Sequence, residues 1–137
     1  MKPWIAGRRG QATIELALAL TTLLLFSLGA VQFGILYSLK LRVEHAAREG
    51  ARYGAIHVLE GAAGVSNTKQ HAVDAAPDLN PPLATSNVDV QTPQGAVADK
   101  PVAVTVTYPY TPTIPLVKSV LPSSMSIRSQ VQMRIEG

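Results

Sequence analysis

The hydrophobic and polar positions of the chain change pattern along its length. From residue 16 to residue 39 there is no Asp, Glu, Lys, Arg or His, and Gln32 is the only amide. About 24 helical residues at 1.5 Å each reach roughly 36 Å, enough to span a hydrocarbon core of ~30 Å. The segment therefore predicts one transmembrane helix, with Glu15 just before it and Lys40 just after it.

The spacing of the prolines extends this helix beyond the apolar segment. Between Pro3 and Pro77 there is no proline, so no ring interrupts the hydrogen bonding of a helix in that interval. We predict a nearly continuous helix over residues 12–59, with Gly61 and Gly64 as stop signals.

The last part of the chain predicts a short helix followed by strands, in which apolar side chains recur at every second residue. Residues 66–76 predict a second, short helix with Ser66 or Asn67 as its N-cap. Residues 87–92, 101–108 and 126–136 alternate apolar and polar side chains, as strands with one buried and one wet face do. Such segments, joined by proline-containing turns, predict an antiparallel meander.

The apolar face of this sheet needs a cover, and the projecting half of the long helix is the only sizeable candidate. The predicted fold class is α+β: a long N-terminal helix, half transmembrane and half projecting, packed on a small antiparallel sheet of about three strands. Residues 11–39 form the transmembrane helix, residues 40–60 its continuation and residues 61–137 a small head. The apolar face of the middle strand comprises Val102, Val104, Val106 and Tyr108.

Composition and charge exclude several classes of protein. The chain has 137 residues and no cysteine, which excludes disulfides and thiolate metal sites. The formal net charge is +3, and Lys2, Arg8 and Arg9 account for the whole excess. Because no basic stripe is interleaved with aromatic side chains, we predict no nucleic-acid partner.

No catalytic or metal-binding constellation can be assembled from the sequence. His45, His57 and His71 lie about twelve and fourteen residues apart, which is not the spacing of a zinc motif. There is no nucleophile elbow and no phosphate-binding loop of Walker spacing. We therefore predict a protein that is not an enzyme and has no catalytic residues, no cofactor and no metal.

Two questions about the apolar segment stay open on the residues alone. One alternative to a retained helix is a secretory signal peptide cleaved near Ala30, although the apolar run continues beyond the usual 7–15 residues of such a segment. The orientation is also undecided. Lys40 and Arg42 follow the segment as closely as Arg8 and Arg9 precede it, and the positive-inside rule counts only such residues.

Glu15 lies at the edge of the apolar segment, where a carboxylate needs a partner or access to water. Taken alone, it is equally well interpreted as a first-turn acid favoured by the helix dipole or as a functional charge. Its flanking residues favour the second interpretation. Basic residues, then Gly10, then a glutamate at the fifth position beyond and a long apolar helix resemble the leader and cleavage site of type IV prepilins.

This resemblance implies a processing site. A membrane-bound prepilin peptidase would recognise a leader of residues 1–10 through Arg8 and Arg9, and would cut after Gly10 on the cytoplasmic side. Gln11 would then be the new N-terminus. Glu15 would neutralise the N-terminal amine of a neighbouring subunit, so that two charges that are each costly in lipid satisfy one another.

A longer part of the sequence is similar to the TadE-like family, the minor pilins or pseudopilins of tight-adherence (Tad, type IVc or Flp) pili. The similarity is carried by the segments RGQATIELAL, GAVQFGILYSLKLRVEHAAREGARYGA, VTVTYPYTPTIPLV and MRIEG. Gln11 differs from the Phe common in type IV pilins, and Leu16 from the Tyr of the small major Tad pilins. The chain is also too long for that major pilin, and this length and Leu16 both favour a minor component over the main filament subunit.

The TadE-like resemblance implies a pilin-like fold and a non-enzymatic role in assembly of a Tad pilus, for adherence or secretion. The implied partners are the prepilin peptidase, other Tad pilus subunits and assembly machinery, and lipid of the cytoplasmic membrane. The protein would cross the bacterial inner membrane once, with the N-terminus in the cytoplasm and the head outside, and could enter an extracellular pilus. Two alternatives remain: a type II secretion pseudopilin, and an uncleaved single-pass membrane-anchored interaction module.

Small residues at four-residue spacing let another element approach a helix backbone closely. In the apolar segment these helix-packing candidates are Ala30, Gly34 and Ser38. In the projecting half they are Ala47, Gly50, Ala51, Gly54 and Ala55. For the second set, contact with another subunit and packing against the chain's own sheet are both open interpretations.

Overall fold

The computed structural model describes residues 6–111 and 125–136, with side chains described from Gly10 onward. The helices are α1 (Ala6–His57) and α2 (Ala62–Asp74), with short 3₁₀ turns at Val58–Glu60 and Thr85–Asn87; the strands are β1 (Val88–Gln91), β2 (Pro101–Tyr110) and β3 (Met125–Arg134). The predicted α+β fold, a long N-terminal helix with a small antiparallel sheet of three strands, is confirmed. The chain divides into an apolar unit, Met1–Leu36, and a globular unit, Tyr37–Gly137.

Helix α1 is 52 residues long and, as the absence of proline predicts, uninterrupted. It begins earlier than the predicted residue 12. After His57 the chain tightens into the 3₁₀ turn and reverses at Gly61, whose φ of +73° is a conformation that glycine adopts readily. Gly61 is therefore a stop signal, as predicted. The same prediction for Gly64 is wrong, because Gly64 lies inside α2.

The predicted start of the second helix is also wrong. Helix α2 begins at Ala62 with Gly61 in the cap position and no side-chain cap, and Ser66 and Asn67 are exposed residues within it. Gly64 lies against the last turn of α1, where an added Cβ would overlap the carbonyl oxygen of His57. The tight reversal between the two helices thus depends on the missing side chain of Gly64.

The sheet is a meander in the order β1-β2-β3, and both pairs of strands are antiparallel. On the central strand, Val104 pairs with Val90 on one side and with Val131 on the other. The apolar face predicted for this strand is confirmed, since four alternate residues are buried in the core: Val102, Val104, Val106 and Tyr108.

The opposite face of β2 is also shielded from solvent, although no helix covers it among the described residues. Ala103 and Thr105 are buried, and their partners in register on β1 and β3 are long or charged polar residues. Ala103 lies between Gln91 and Gln132, while Thr105 lies between Asp89 and Gln130. The longer side chains of the edge strands therefore flank the small ones of the centre, and this face stays polar.

The core lies between the apolar face of the sheet and the two helices. The residues of α1 and the following turn that are buried there are small or β-branched: Val43, Ala46, Ala47, Ala51, Ala55 and Val58. Ile135, just after β3, is 1% exposed, and its backbone exchanges hydrogen bonds with Asp99 and Lys100. The Glu136 N–H donates to the carbonyl oxygen of Ala55 at 2.7 Å, which fixes the chain after β3 to α1.

Tyr108 closes one end of the core. Its ring is 2% exposed, and its hydroxyl donates a hydrogen bond of 2.9 Å to the carbonyl oxygen of Pro81. Burial raises the pKa of the Tyr108 phenol above its ordinary value of 10.0, because the charged form would lose hydration. The native fold therefore favours the neutral hydroxyl.

Tyr108→Phe is expected to lower the free energy of unfolding by about 1 kcal/mol at pH 7, because Pro81 loses its donor. A folded-state pKa above the unfolded value stabilises the native state below pH 10, and this contribution is lost as pH rises through the raised pKa. The difference between the two proteins should therefore narrow at pH 10.5. Calorimetric unfolding in detergent micelles at both pH values measures it, and a constant difference would contradict the assigned role of the hydroxyl.

Candidate assembly surface

Three hydroxyl side chains of the apolar unit are satisfied within α1. The hydroxyls of Thr21, Thr22 and Ser27 each donate to the carbonyl oxygen four residues earlier, at 2.8, 2.9 and 2.8 Å. Because each of the three hydroxyls has a hydrogen-bond acceptor within the helix, none requires water. This arrangement is compatible with a helix in hydrocarbon.

Large apolar side chains of the same unit face outward. Leu18 and Phe26 are 65% and 75% exposed, and similar exposure recurs along the segment. Such a surface is unfavourable in water. The helix is long and apolar enough to cross a membrane, and none of its most apolar window is buried within the chain.

Glu15 lies in α1 between Ile14 and Leu16, whose side chains are well exposed. Gly10 and Gln11 are exposed one helical turn earlier, and open space surrounds the Cα of Gly10. The predicted cleavage site thus lies on accessible helix. The other predicted leader contacts, the side chains of Arg8 and Arg9, and residues 1–5 lie outside what the structure describes.

An open groove of about 600 Å³ lies on the same helix. One phenylalanine lies on each side of two small residues, and a leucine and a threonine complete the lining. The six residues are Thr22, Leu25, Phe26, Gly29, Ala30 and Phe33. Glu15, Thr22 and Gly29 recur at intervals of seven residues, which places them on one helical face. The carboxylate and the groove therefore share a face.

Sequence reasoning missed this groove and singled out a neighbouring set of small residues. Of that set, Ala30 lines the groove, whereas Gly34 and Ser38 are exposed further along the helix. The seven-residue interval from Glu15 to Gly29 was the signal that could have identified the groove, because it has the repeat of a helix-packing seam.

The small residues of the projecting half lie in the globular unit and are buried there: Ala47, Gly50, Ala51, Gly54 and Ala55. A Cβ on Gly50 would lie 2.8 Å from the Cβ of Ala72 and 3.2 Å from Val104. A Cβ on Gly54 would lie 3.0 Å from Thr68. The neighbours of both glycines are therefore α2 and β2 of the same chain, and these contacts occupy this side of the helix.

Several charged groups lie where the globular unit begins. The Lys40 ammonium donates a 2.6 Å hydrogen bond to the carbonyl oxygen of Arg128 on β3. The Arg42 guanidinium donates to the Asp78 carbonyl oxygen at 3.3 Å and lies 3.8 Å from the Asp78 carboxylate. The two cations that follow the apolar segment thus make different contacts: Lys40 bonds to a backbone carbonyl, whereas Arg42 contacts both the backbone and the carboxylate of Asp78.

In the globular unit, α1 carries exposed ion pairs, and an aromatic stack joins α1 to α2. Arg48 bonds to Glu44 at 2.7 Å, and an exposed pair of this kind contributes little stability. The Tyr53 ring lies between two imidazoles, with centroids 4.0 Å from His57 and 4.2 Å from His71.

In the part of the chain that the structure describes, no three His, Cys, Asp or Glu side chains form a group that could hold a metal.

The fold and the apolar helix together define a class of membrane-anchored protein: one long, outward-apolar N-terminal helix that carries a small α+β unit. Residues 10–52 match the family model described as TadE-like protein, which confirms the predicted resemblance over that part of the chain. No curated protein and no solved structure matches the sequence.

The matched residues run from the predicted cleavage site through Glu15 and the groove to Arg52. They therefore include the whole candidate surface of the apolar unit and the part of α1 that packs in the globular unit. A TadE-like segment of this kind indicates a Tad pilus-associated protein, associated in turn with other components of that pilus. The family is generally non-enzymatic.

Proposed function

We propose that the chain is a minor pilin or pseudopilin, processed by prepilin peptidase after Gly10, that takes part in assembly of a Tad pilus for adherence or secretion. The observation that carries this proposal is the position of Glu15. It is the only charged residue between positions 11 and 39, and it shares a helical face with the groove at Gly29.

Charge pairing explains why assembly would need this carboxylate. An ionised side chain in the bilayer costs about 2.5–3.5 kcal/mol on insertion scales near the bilayer centre, and less toward the surface. The cut after Gly10 would create a second charge, the amine of Gln11, one helical turn away. A neighbouring subunit shifted along the helix axis would place its amine near Glu15, so that neither charge remains unpaired.

The groove supplies the apolar part of the same contact. Gly29 has open space over its Cα, so a neighbouring helix can approach the backbone there closely, as small residues allow in membranes. Phe26 and Phe33 flank this point and would pack on either side of the incoming helix. One face of α1 would thus combine a charge contact near its start with close packing two turns or more beyond.

The proposal also gives the protein an orientation. The basic leader would stay in the cytoplasm, residues 11–39 would cross the inner membrane once, and residues 40–60 and the head of residues 61–137 would lie outside. The mature protein would wait in the membrane in contact with its lipid, and then join or prime the pilus.

Determination of the N-terminus tests the proposal. The full chain, expressed with a prepilin peptidase, should yield a mature protein that begins at Gln11, and without the peptidase it should keep Met1. Gly10→Leu should block the cut because the peptidase requires glycine there, whereas Gly7→Leu, a matched glycine within the leader, should leave it intact. Intact mass spectrometry gives the answer.

An N-terminus at Met1 in peptidase-positive cells would instead identify an uncleaved membrane anchor, and an N-terminus near Ala30 a secretory signal peptide. Deletion of the gene for this chain distinguishes the Tad role from a type II secretion role, in a host that has both a Tad pilus and a type II secretion apparatus. The proposed function requires loss of Tad pili with protein secretion unchanged, and the reverse outcome would assign the chain to the secretion apparatus.

A further inference from the structure

We propose that the Lys40 ammonium and the Arg128 guanidinium each bind phosphate groups of anionic phospholipids at the membrane surface. The proposal rests on the membrane-anchored part of the proposed function, and not on cleavage or pilus assembly. It assigns the globular unit a lipid contact of its own, distinct from the packing of the helix in hydrocarbon.

The depth of the site follows from one hydrogen bond. Lys40 is the first charged residue after the apolar segment, so its ammonium lies where the helix leaves the hydrocarbon. The same ammonium reaches the Arg128 carbonyl oxygen at 2.6 Å, across 88 residues of sequence. Strand β3 at Arg128 is therefore held at the level of the lipid headgroups.

Both side chains keep hydrogen-bond donors for a ligand. An ammonium has three N–H donors, and the Arg128 carbonyl oxygen takes one of those on Lys40. The Arg128 guanidinium is exposed and belongs to the polar face of the sheet, where its partner in register is Thr107. Among the described residues, neither cation has a carboxylate within salt-bridge distance. Phosphate oxygens accept from both groups, and a guanidinium binds them in bidentate fashion.

The neighbouring cations provide a contrast. Arg42 contacts Asp78 through both the carboxylate and the backbone carbonyl. Arg134 is on the same strand and the same face as Arg128 but bonds to Asp99 at 3.0 Å. Each of these arginines has an anionic partner within the chain. Lys40 and Arg128 have no such partner among the described residues. These two residues are held at the level of the headgroups, where lipid phosphate is the abundant anion.

Lipid titration of the full chain in detergent micelles tests the site. Native mass spectrometry would count bound phosphatidylglycerol, with phosphatidylcholine as the lipid of zero net charge. Arg128→Gln and Lys40→Gln should each weaken binding of phosphatidylglycerol about fivefold, the effect of one basic residue near an anionic surface. Binding of phosphatidylcholine should change little.

Arg134→Gln is the matched control, since it removes the same charge from the same face about 20 Å further along the strand. It should bind phosphatidylglycerol as the wild type does. Hydrogen exchange of the β2 amides, unchanged in all three variants, would show that the fold is intact. The uncleaved chain carries the same site, so failure of cleavage would leave this test unaffected.

Three results would overturn the proposal. Wild-type binding of phosphatidylglycerol by Arg128→Gln would remove this arginine from any lipid site. An equal loss in Arg134→Gln would reduce the effect to overall charge. Unchanged lipid binding together with loss of a pilus protein from the purified complex would assign the two cations to an acidic protein partner.

Discussion

Gly64→Ala is expected to destabilise the globular unit by about 3 kcal/mol, the upper part of the usual range for overpacking. In most helix positions this change stabilises a protein by roughly 0.5–1 kcal/mol, because alanine is the better helix former. Here the new methyl group would overlap the carbonyl oxygen of His57. Since that oxygen belongs to the backbone of α1, only a shift of one helix relative to the other can relieve the overlap.

Hydrogen exchange of the full chain in micelles measures this effect through the protection of the β2 amides, which report opening of the core. Ser66→Ala is the matched control, because it improves helix propensity at an exposed position of the same helix. It should raise stability by a few tenths of a kcal/mol. Protection in Gly64→Ala equal to that of the wild type would contradict the close approach of the two helices.

Glu15→Ala is expected to reduce incorporation into surface pili at least tenfold, while cleavage after Gly10 and membrane insertion continue. Without the carboxylate, the amine of each neighbouring subunit would stay unpaired at the edge of the bilayer, and a cost of about 1.4 kcal/mol there is enough for a tenfold loss. Shearing pili from cells and quantifying the subunit in the pilus and membrane fractions measures the change.

Glu44→Gln is the matched control for that experiment. It also removes one acidic charge from α1, but this glutamate forms an exposed ion pair with Arg48, and such pairs contribute little. Pilus incorporation should stay near the wild-type level. If Glu15→Ala assembles as well as Glu44→Gln, the carboxylate has no role in subunit pairing.

The elements with a regular sequence period were predictable. The apolar segment without a charge and the long interval without proline were enough to predict α1. The alternation from Val102 to Tyr108 was enough to predict the central strand and its buried face. In both cases the local pattern and the tertiary environment agree, so nothing overrides the pattern.

The start of α2 was not predictable in the same way. Ser66 and Asn67 have the chemistry of N-caps, yet the helix begins four residues earlier because Gly64 lets it pack against the end of α1. The start of α2 is therefore set by a contact between the two helices, and the residues around Ala62 contain no local sequence signal for it.

The same distinction between local and tertiary signals applies to the candidate sites. Glu15 could be identified from its flanking residues, since the charge lies beside a glycine and an apolar run. The contact between Lys40 and Arg128 could not, because it depends on the register of β3 and on how the sheet meets α1.

The hydrogen bond from Glu136 to Ala55 has a consequence for the order of folding. The part of α1 that it closes is made early in synthesis, whereas Ile135 and Glu136 follow about eighty residues later. Until β3 and these two residues emerge, the core of α1, α2 and β2 is incomplete, and the valines of β2 have no third strand beside them. Contacts this distant in sequence form slowly, because a long loop must close first. The nascent chain therefore passes through a stage with exposed apolar surface and an unpaired strand edge, during which aggregation competes with folding.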